Sequence, residues 1–141
     1  MALNMMSIVP VVGTGGVTAG AVCYTSSSTT VICDADSSQA ATAALKPTGV
    51  CTVSAAAGEY TQLAGENAQG VTYIAGTGGV AVGDLLVCED GGAGAVITYA
   101  SSDYSDGDDV YVLGRAHSAA AAGAQFRGSF RPYLTTPSNP A

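Results

Sequence analysis

His117 is the only histidine in the chain, and it stands beside Ser118 in an Ala-rich stretch. A hydrolytic triad needs a histidine oriented by a carboxylate and aimed at a nucleophile. An isolated His-Ser step supplies neither, so an exposed strand or loop histidine is the reading. No GxSxG, HExxH or Walker A string occurs, and Gly13, Gly15 and Gly16 neither complete GxGxxG nor follow a βαβ pattern. The densest charge is Asp103-Tyr104-Ser105-Asp106-Gly107-Asp108-Asp109. Oxygen-rich turns bind calcium, but counting from Asp103 puts Ser105 and Gly107 at places where an EF-hand loop needs ligands. A solvated acidic turn ahead of a strand is expected instead. Asp108 and Asp109 would suit glycoside hydrolysis, yet the chain has no Trp and few aromatics to stack a sugar. The expectation is no enzyme, no catalytic residues, no cofactor and no metal.

Four cysteines, Cys23, Cys33, Cys51 and Cys88, form no CxxC pair, and with one histidine a zinc site would need distant thiolates to converge. Residues 21–25 and 31–35 flank a Ser/Thr run, the composition of a hairpin with a loose turn. A turn centred on Ser28 sets Cys23 opposite Cys33 and puts Ala21, Cys23, Val31, Cys33 and Ala35 on one face, because side chains alternate along a strand. A cross-strand disulfide fits that geometry. Two small thiols packing side by side is preferred, since nothing in the sequence points to an oxidising compartment.

The elements that carry these residues are built from small side chains. The chain has 141 residues, with 19 Gly, no Trp and two Phe, a length for one domain. Eleven acidic against four basic residues give a net charge of -7, so phosphate backbones and anionic membranes would be repelled. Nucleic acid and membrane are thereby excluded as partners. A hydrophobic share of 48% with 11% charged is too apolar for a disordered chain. Residues 1–33 carry no charge, but Pro10 and Gly13, Gly15, Gly16 and Gly20 interrupt any membrane-spanning run. No cation precedes Lys46, so the positive n-region of a secretory signal is missing. A soluble protein made in a cytoplasm is expected.

The chain repeats itself. Gly13-Thr14-Gly15-Gly16-Val17 recurs as Gly76-Thr77-Gly78-Gly79-Val80, 63 residues on, and Gly20 matches Gly83 at the same shift. Val31-Ile32 then matches Val96-Ile97, and Gly49 with Ala55-Ala56-Ala57-Gly58 matches Gly114 with Ala120-Ala121-Ala122-Gly123, both 65 residues on. Ordered matches with one change of offset are what a duplication with a loop insertion leaves. Two units follow, residues 13–66 and 76–131, joined by residues 67–75 and flanked by an N-terminal arm, 1–12, and a tail, 132–141. In each unit a hairpin (21–25 with 31–35; 84–89 with 95–99) leads to a strand of small residues and a closing strand (59–63; 124–130). Short strands with Gly-marked turns predict an all-β fold, a small barrel or sandwich of two duplicated units. At most one short helix is expected, over residues 37–46, with Asp34 and Asp36 near its start and Pro47 as its stop.

Two features point outward. The apolar, uncharged arm would cost solubility if free in water, so Ile8, Val9, Val11 and Val12 are candidates to lie across another chain, or else form a first strand of this fold. Arg115, Arg127 and Arg131 all follow the last acidic residue, Asp109. That asymmetry suits docking of the C-terminal strands onto an acidic neighbour, or neutralisation within the chain.

The residues Gly16-Val17-Thr18-Ala19-Gly20, Ile32-Cys33-Asp34-Ala35-Asp36, Gly49-Val50, Ala55-Ala56-Ala57-Gly58, Val112-Leu113-Gly114-Arg115-Ala116 and Ala122-Gly123 together resemble the capsid cement, or head-decoration, proteins of tailed bacteriophages. The resemblance covers about residues 15–131. It implies a β-rich structural protein of the virion that binds the capsid exterior between capsomers and reinforces the shell. Its implied partners are the major capsid protein and further copies of itself, as dimer or trimer. Ile8, Val9, Val11, Val12, Arg115, Arg127 and Arg131 are then the candidate capsid contacts. The alternative is an adhesive or glycan-binding β-module using its Ser/Thr and Tyr faces.

Overall fold

Runs of small residues punctuated by glycine make short strands that pack closely. The computed structural model of the chain describes residues 7–8, 11–12, 15–25, 31–32, 46–89 and 93–138. In chain order the strands are β1 (Ser7–Ile8), β2 (Val22–Thr25), β3 (Val31–Ile32), β4 (Gly49–Cys51), β5 (Leu63–Ala64), β6 (Ala68–Ile74), β7 (Leu85–Cys88), β8 (Val96–Thr98), β9 (Val110–Val112), β10 (Gly114–Arg115), β11 (Gln125–Phe130) and β12 (Tyr133–Thr135). They form antiparallel sheets in the orders β1-β5-β4-β2-β3, β10-β7-β8, β11-β6 and β12-β9. The fold is all-β, as expected. Its sheets do not close into a barrel, and the arrangement is sandwich-like. Among the described residues the only helical element is the 3-10 turn Ser101–Asp103. Apart from Lys46, the expected helix at 37–46 lies outside the described residues.

The shift found in the sequence recurs in the backbone. Val17 and Ala55 exchange both bonds (2.8 and 3.0 Å), and so do Val80 and Ala120 (2.9 and 3.0 Å). Gly20 donates to the Cys51 carbonyl as Gly83 does to Ala116, both at 2.8 Å. The pairs Val22↔Val50, Tyr24↔Ile32 and Ile8↔Leu63 have the counterparts Leu85↔Arg115, Val87↔Ile97 and Val71↔Gly128. Thus β1, β2, β3, β4 and β5 correspond to β6, β7, β8, β10 and β11.

This pairing places residues 7–8 and 11–12 inside the first unit, as strand and bridge of its own sheet. It also turns the expected linker 67–75 into β6, the longest strand. The linker reading failed because β6 does not alternate from its start. Its buried positions are Ala68, then Val71 and Tyr73. Gly70, with φ +66°, takes up the extra residue, as bulges do.

The two units stack head to tail. Val22, Tyr24, Val50 and Ala64 of the first share one core with Val71, Tyr73, Val80, Leu86, Val96, Ala116, Phe126 and Phe130 of the second. The counterparts of Val22, Val50 and Ala64 are Leu85, Arg115 and Ser129, on the opposite face of the second unit. One face of the first unit therefore rests on the other face of its copy. A backbone bond joins the seam, from Val22 N to Gly94 O (3.1 Å). Each fully buried Val, Leu or Phe here contributes about 1.5–3 kcal/mol.

A second apolar cluster, Val87, Tyr104, Val110 and Val112, with Leu85, Ile97 and Tyr99 against it, fills part of the opposite face of the second unit. The turn into β7 is pinned by Asp84, whose Oδ2 accepts from Ala81 N at 2.9 Å and Thr98 Oγ1 at 2.7 Å. The Ala81 N–H first, then the Thr98 hydroxyl, hold its carboxyl below the ordinary value. That stabilisation is present above about pH 3.9 and is lost as the carboxylate protonates at lower pH. Asp84→Ala is expected to cost about 1 kcal/mol, as loss of a capping side chain does. Urea unfolding at pH 7 measures it, and the gap between variant and parent should narrow below pH 4.

Candidate docking surface

The residues expected to be chemically inert have exposed or structural places. His117 is exposed; its backbone N–H donates to Arg127 O at 2.7 Å, and Ser118 Oγ accepts from Arg127 N at 3.1 Å. In the acidic run, Asp108 Oδ2 accepts from Ser105 N (2.9 Å) while Asp108 N donates to Ser105 O (3.1 Å). Thr136 Oγ1 donates to Asp109 Oδ1 (3.2 Å) and Gly107 N to Pro137 O (3.3 Å), tying the run to the C-terminal strand. No group of three His, Cys, Asp or Glu side chains is placed to hold a metal among the described residues. Tyr104, within this run, is buried, and burial pushes its phenol above the ordinary range.

Cys23, Cys51 and Cys88 are buried. Cys51 Sγ donates to Val53 O at 3.1 Å and lies 3.3 Å from Thr61 Oγ1. The register Tyr24↔Ile32, Thr25↔Val31 is the one a turn centred on Ser28 gives. Cys33, and with it the question of a Cys23–Cys33 disulfide, lies outside the described residues.

The candidate contacts fall in two places. In the first unit, Ile8 pairs with Leu63 and Val11 with Tyr60 through the backbone. Val12 is buried, and its backbone bonds Glu59 O and Gly58 N, each at 2.8 Å. Val9 lies outside the described residues.

The arginines belong to the second unit. There β9, Leu113 and β10 run against β11, Arg131-Pro132 and β12 as one long ribbon, held by Arg131 N to Leu113 O (2.7 Å) and the pair Tyr133↔Val112. Pro132 has no N–H to donate and interrupts the outer strand between β11 and β12. At this point Leu85, Gly114, Arg115, Ser129, Arg131 and Tyr133 line a cleft of about 350 Å³.

Arg115 Nη1 donates to Gly83 O at 2.9 Å. Arg127, on the same strand face but outside the cleft, donates Nη1 to Gly70 O at 3.2 Å. Among the described residues the one ion pair is Lys46 with Glu66, on the surface of the first unit. Hydrogen bonding to Glu66 holds the Lys46 ammonium above its ordinary value. The structure thus brings Arg115 and Arg131 together and leaves Arg127 apart.

Sequence reasoning placed Tyr133 in the tail and passed over Ser129. The signal was the alternation of exposed Gln125, Arg127 and Arg131 with buried Phe126, Gly128 and Phe130, which carries across Pro132.

No protein-family model and no curated protein sequence matches this chain. Among solved structures, the chain is similar to the N base of head fiber gp8.5 of bacteriophage phi29. The identity is 18%, the match covers 97% of this chain and 98% of that one, and the TM-score is 0.60. The chain therefore shares, from end to end, the fold of a bacteriophage head-fiber base.

Proposed function

We propose that this chain is a structural protein of a bacteriophage virion, held on the outside of the head, where it binds the major capsid protein between capsomers and reinforces the shell. The observation that carries the reading is the end-to-end fold match with a head-fiber base. It is supported by the resemblance to head-decoration proteins and by exposed arginines on a chain of net charge -7. Binding is its whole activity in this reading. Each copy contributes modest area through strand edges and the cleft, and further copies, as dimer or trimer, add avidity.

The test mixes purified chain with mature heads that lack it and sediments the mixture. Saturable co-sedimentation is expected, with the chain present in gradient-purified particles by mass spectrometry. A chain that stays in the supernatant at every concentration and is absent from the particles overturns the reading.

A further inference from the structure

The same face appears twice in this molecule, in two different states. In the first unit it carries Val22, Val50 and Ala64, all fully buried against the second unit. In the second unit the equivalent positions are Leu85, Arg115 and Ser129, and they line the cleft with Arg131 and Tyr133. The position of Arg131 corresponds to Glu66 of the first unit, 65 residues earlier, and Tyr133 lies beyond the last residue that has a first-unit counterpart. A face that docks in one copy has thus exchanged Val50 for a guanidinium and Ala64 for a hydroxyl in the other, and Arg131 beside them stands where the first unit has an exposed glutamate.

We infer that this cleft is the second unit's own docking seat and takes an extended, carboxylate-bearing segment of the head's surface subunit. The inference rests on the proposed attachment to the head.

Three observations fix the chemistry. Arg115 is anchored through one nitrogen on Gly83 O, which orients its remaining donors without using them all, and a guanidinium fork matches a carboxylate. Arg131 is exposed and makes no ion pair with a described residue. Tyr133 and Leu134 are 47% and 51% exposed on β12, which pairs with β9 alone among the described strands. An incoming strand would meet the Tyr133 ring together with the Arg115 and Arg131 cations in the cleft. Tyr and Arg are the residue types that most often anchor such contacts.

A long polyanion is disfavoured by the net charge of -7. A short segment with one or two carboxylates feels mainly the nearby arginines, since screening cuts the field of distant charges within about 8 Å at physiological salt.

The experiment compares the parent with R115E/R131E, with R131Q, and with Q69E, at an exposed position of β6 outside the cleft, as a control for added negative charge. All are first matched by thermal melting. Head co-sedimentation is measured at low and high salt, oligomeric state by light scattering, and the Tyr133 ring resonance is followed while a peptide of alternating Glu and Val, or alternating Lys and Val, is titrated in.

The expected result is at least about a tenfold loss of head affinity for R115E/R131E, a smaller loss for R131Q and little change for Q69E. Parent binding should weaken with salt, and the Glu peptide alone should shift Tyr133. If R115E/R131E melts early, R131Q and the peptide carry the comparison. Parent-like head binding by folded cleft variants overturns the inference while leaving head attachment intact. So does loss of a self-assembled oligomer with head binding unchanged, which would assign the cleft to a second copy. If the parent itself does not bind heads, the proposed function fails and the head subunit goes with it. The peptide titration then decides whether the cleft is a carboxylate seat at all.

Discussion

Tyr73→Ala is expected to lower the free energy of unfolding by about 3–5 kcal/mol, the range for removing a large buried aromatic. Tyr73 is fully buried on β6, where the two units meet. Its ring stacks on Phe126 at 5.5 Å with 22° between the planes, and its hydroxyl donates to Ser129 O at 2.7 Å. Gly128 makes room for it, since a Cβ there would lie 3.1 Å from the ring. Much of the core cluster around it is Val and Ala, short side chains with little reach into a gap. Against a total stability of about 5–15 kcal/mol, the loss leaves a marginal fold. Urea unfolding followed by circular dichroism measures it; a change below 1 kcal/mol would show that the seam is not the common core.

Tyr73→Phe isolates the hydroxyl and is expected to cost about 1–2 kcal/mol. It also changes the alkaline limb. Burial holds the Tyr73 phenol well above its ordinary value, so the folded state keeps a proton that the unfolded chain releases near pH 10. The stabilisation is complete below that pH and falls away as pH rises above it. The Phe variant should lose stability less steeply there, with Tyr104 and the Lys46–Glu66 pair contributing to the slope that remains.

Gly79→Ala is the second large effect, expected at about 2–5 kcal/mol. Gly79 sits at φ +69°, and a Cβ on it would run into the carbonyl oxygen of Ala120, the residue that closes the bridge to Val80. The left-handed conformation costs about 1–2 kcal/mol for an L side chain, and the clash with backbone adds about 1–3 more. Two glycines calibrate this. Gly78 has φ +87° with nothing within 4 Å, so Gly78→Ala carries the conformational cost alone. Gly16, the first-unit counterpart, has φ +73° with Ala55 O at 3.0 Å, so Gly16→Ala should fall between them. Denaturation midpoints should rank the variants 79, 16, 78 in decreasing damage. Equal losses at all three would mean that the approach of Ala120 contributes nothing.

What could be read from the residues was whatever is local. The turn glycines, the Ser28-centred register and the 63- and 65-residue shifts follow from the order of small side chains along the chain. The face each strand would bury did not follow. All three residues of β4 and both of β5 are buried, so no alternation marks one side as interior. The strand β6 was hidden because Gly70 displaces its period, and because Asn67, at φ +68°, reads as a turn. For the surface, the clustering of arginines late in the chain was plain. That Arg115 and Arg131 share a cleft while Arg127 does not depends on β10 lying alongside β11, joined by the bridge Ala116↔Gly128, and on the break at Pro132. Both are long-range facts.

A body made by stacking one unit behind its copy, with no two-fold axis between them, has two unlike ends. Its geometry would permit a third layer, then a fourth, and so on into a filament. Arg115 and Ser129, standing where the first unit has Val50 and Ala64, act as a terminus. A third layer stacked there would have to bury that guanidinium and that hydroxyl, at the cost of desolvating both.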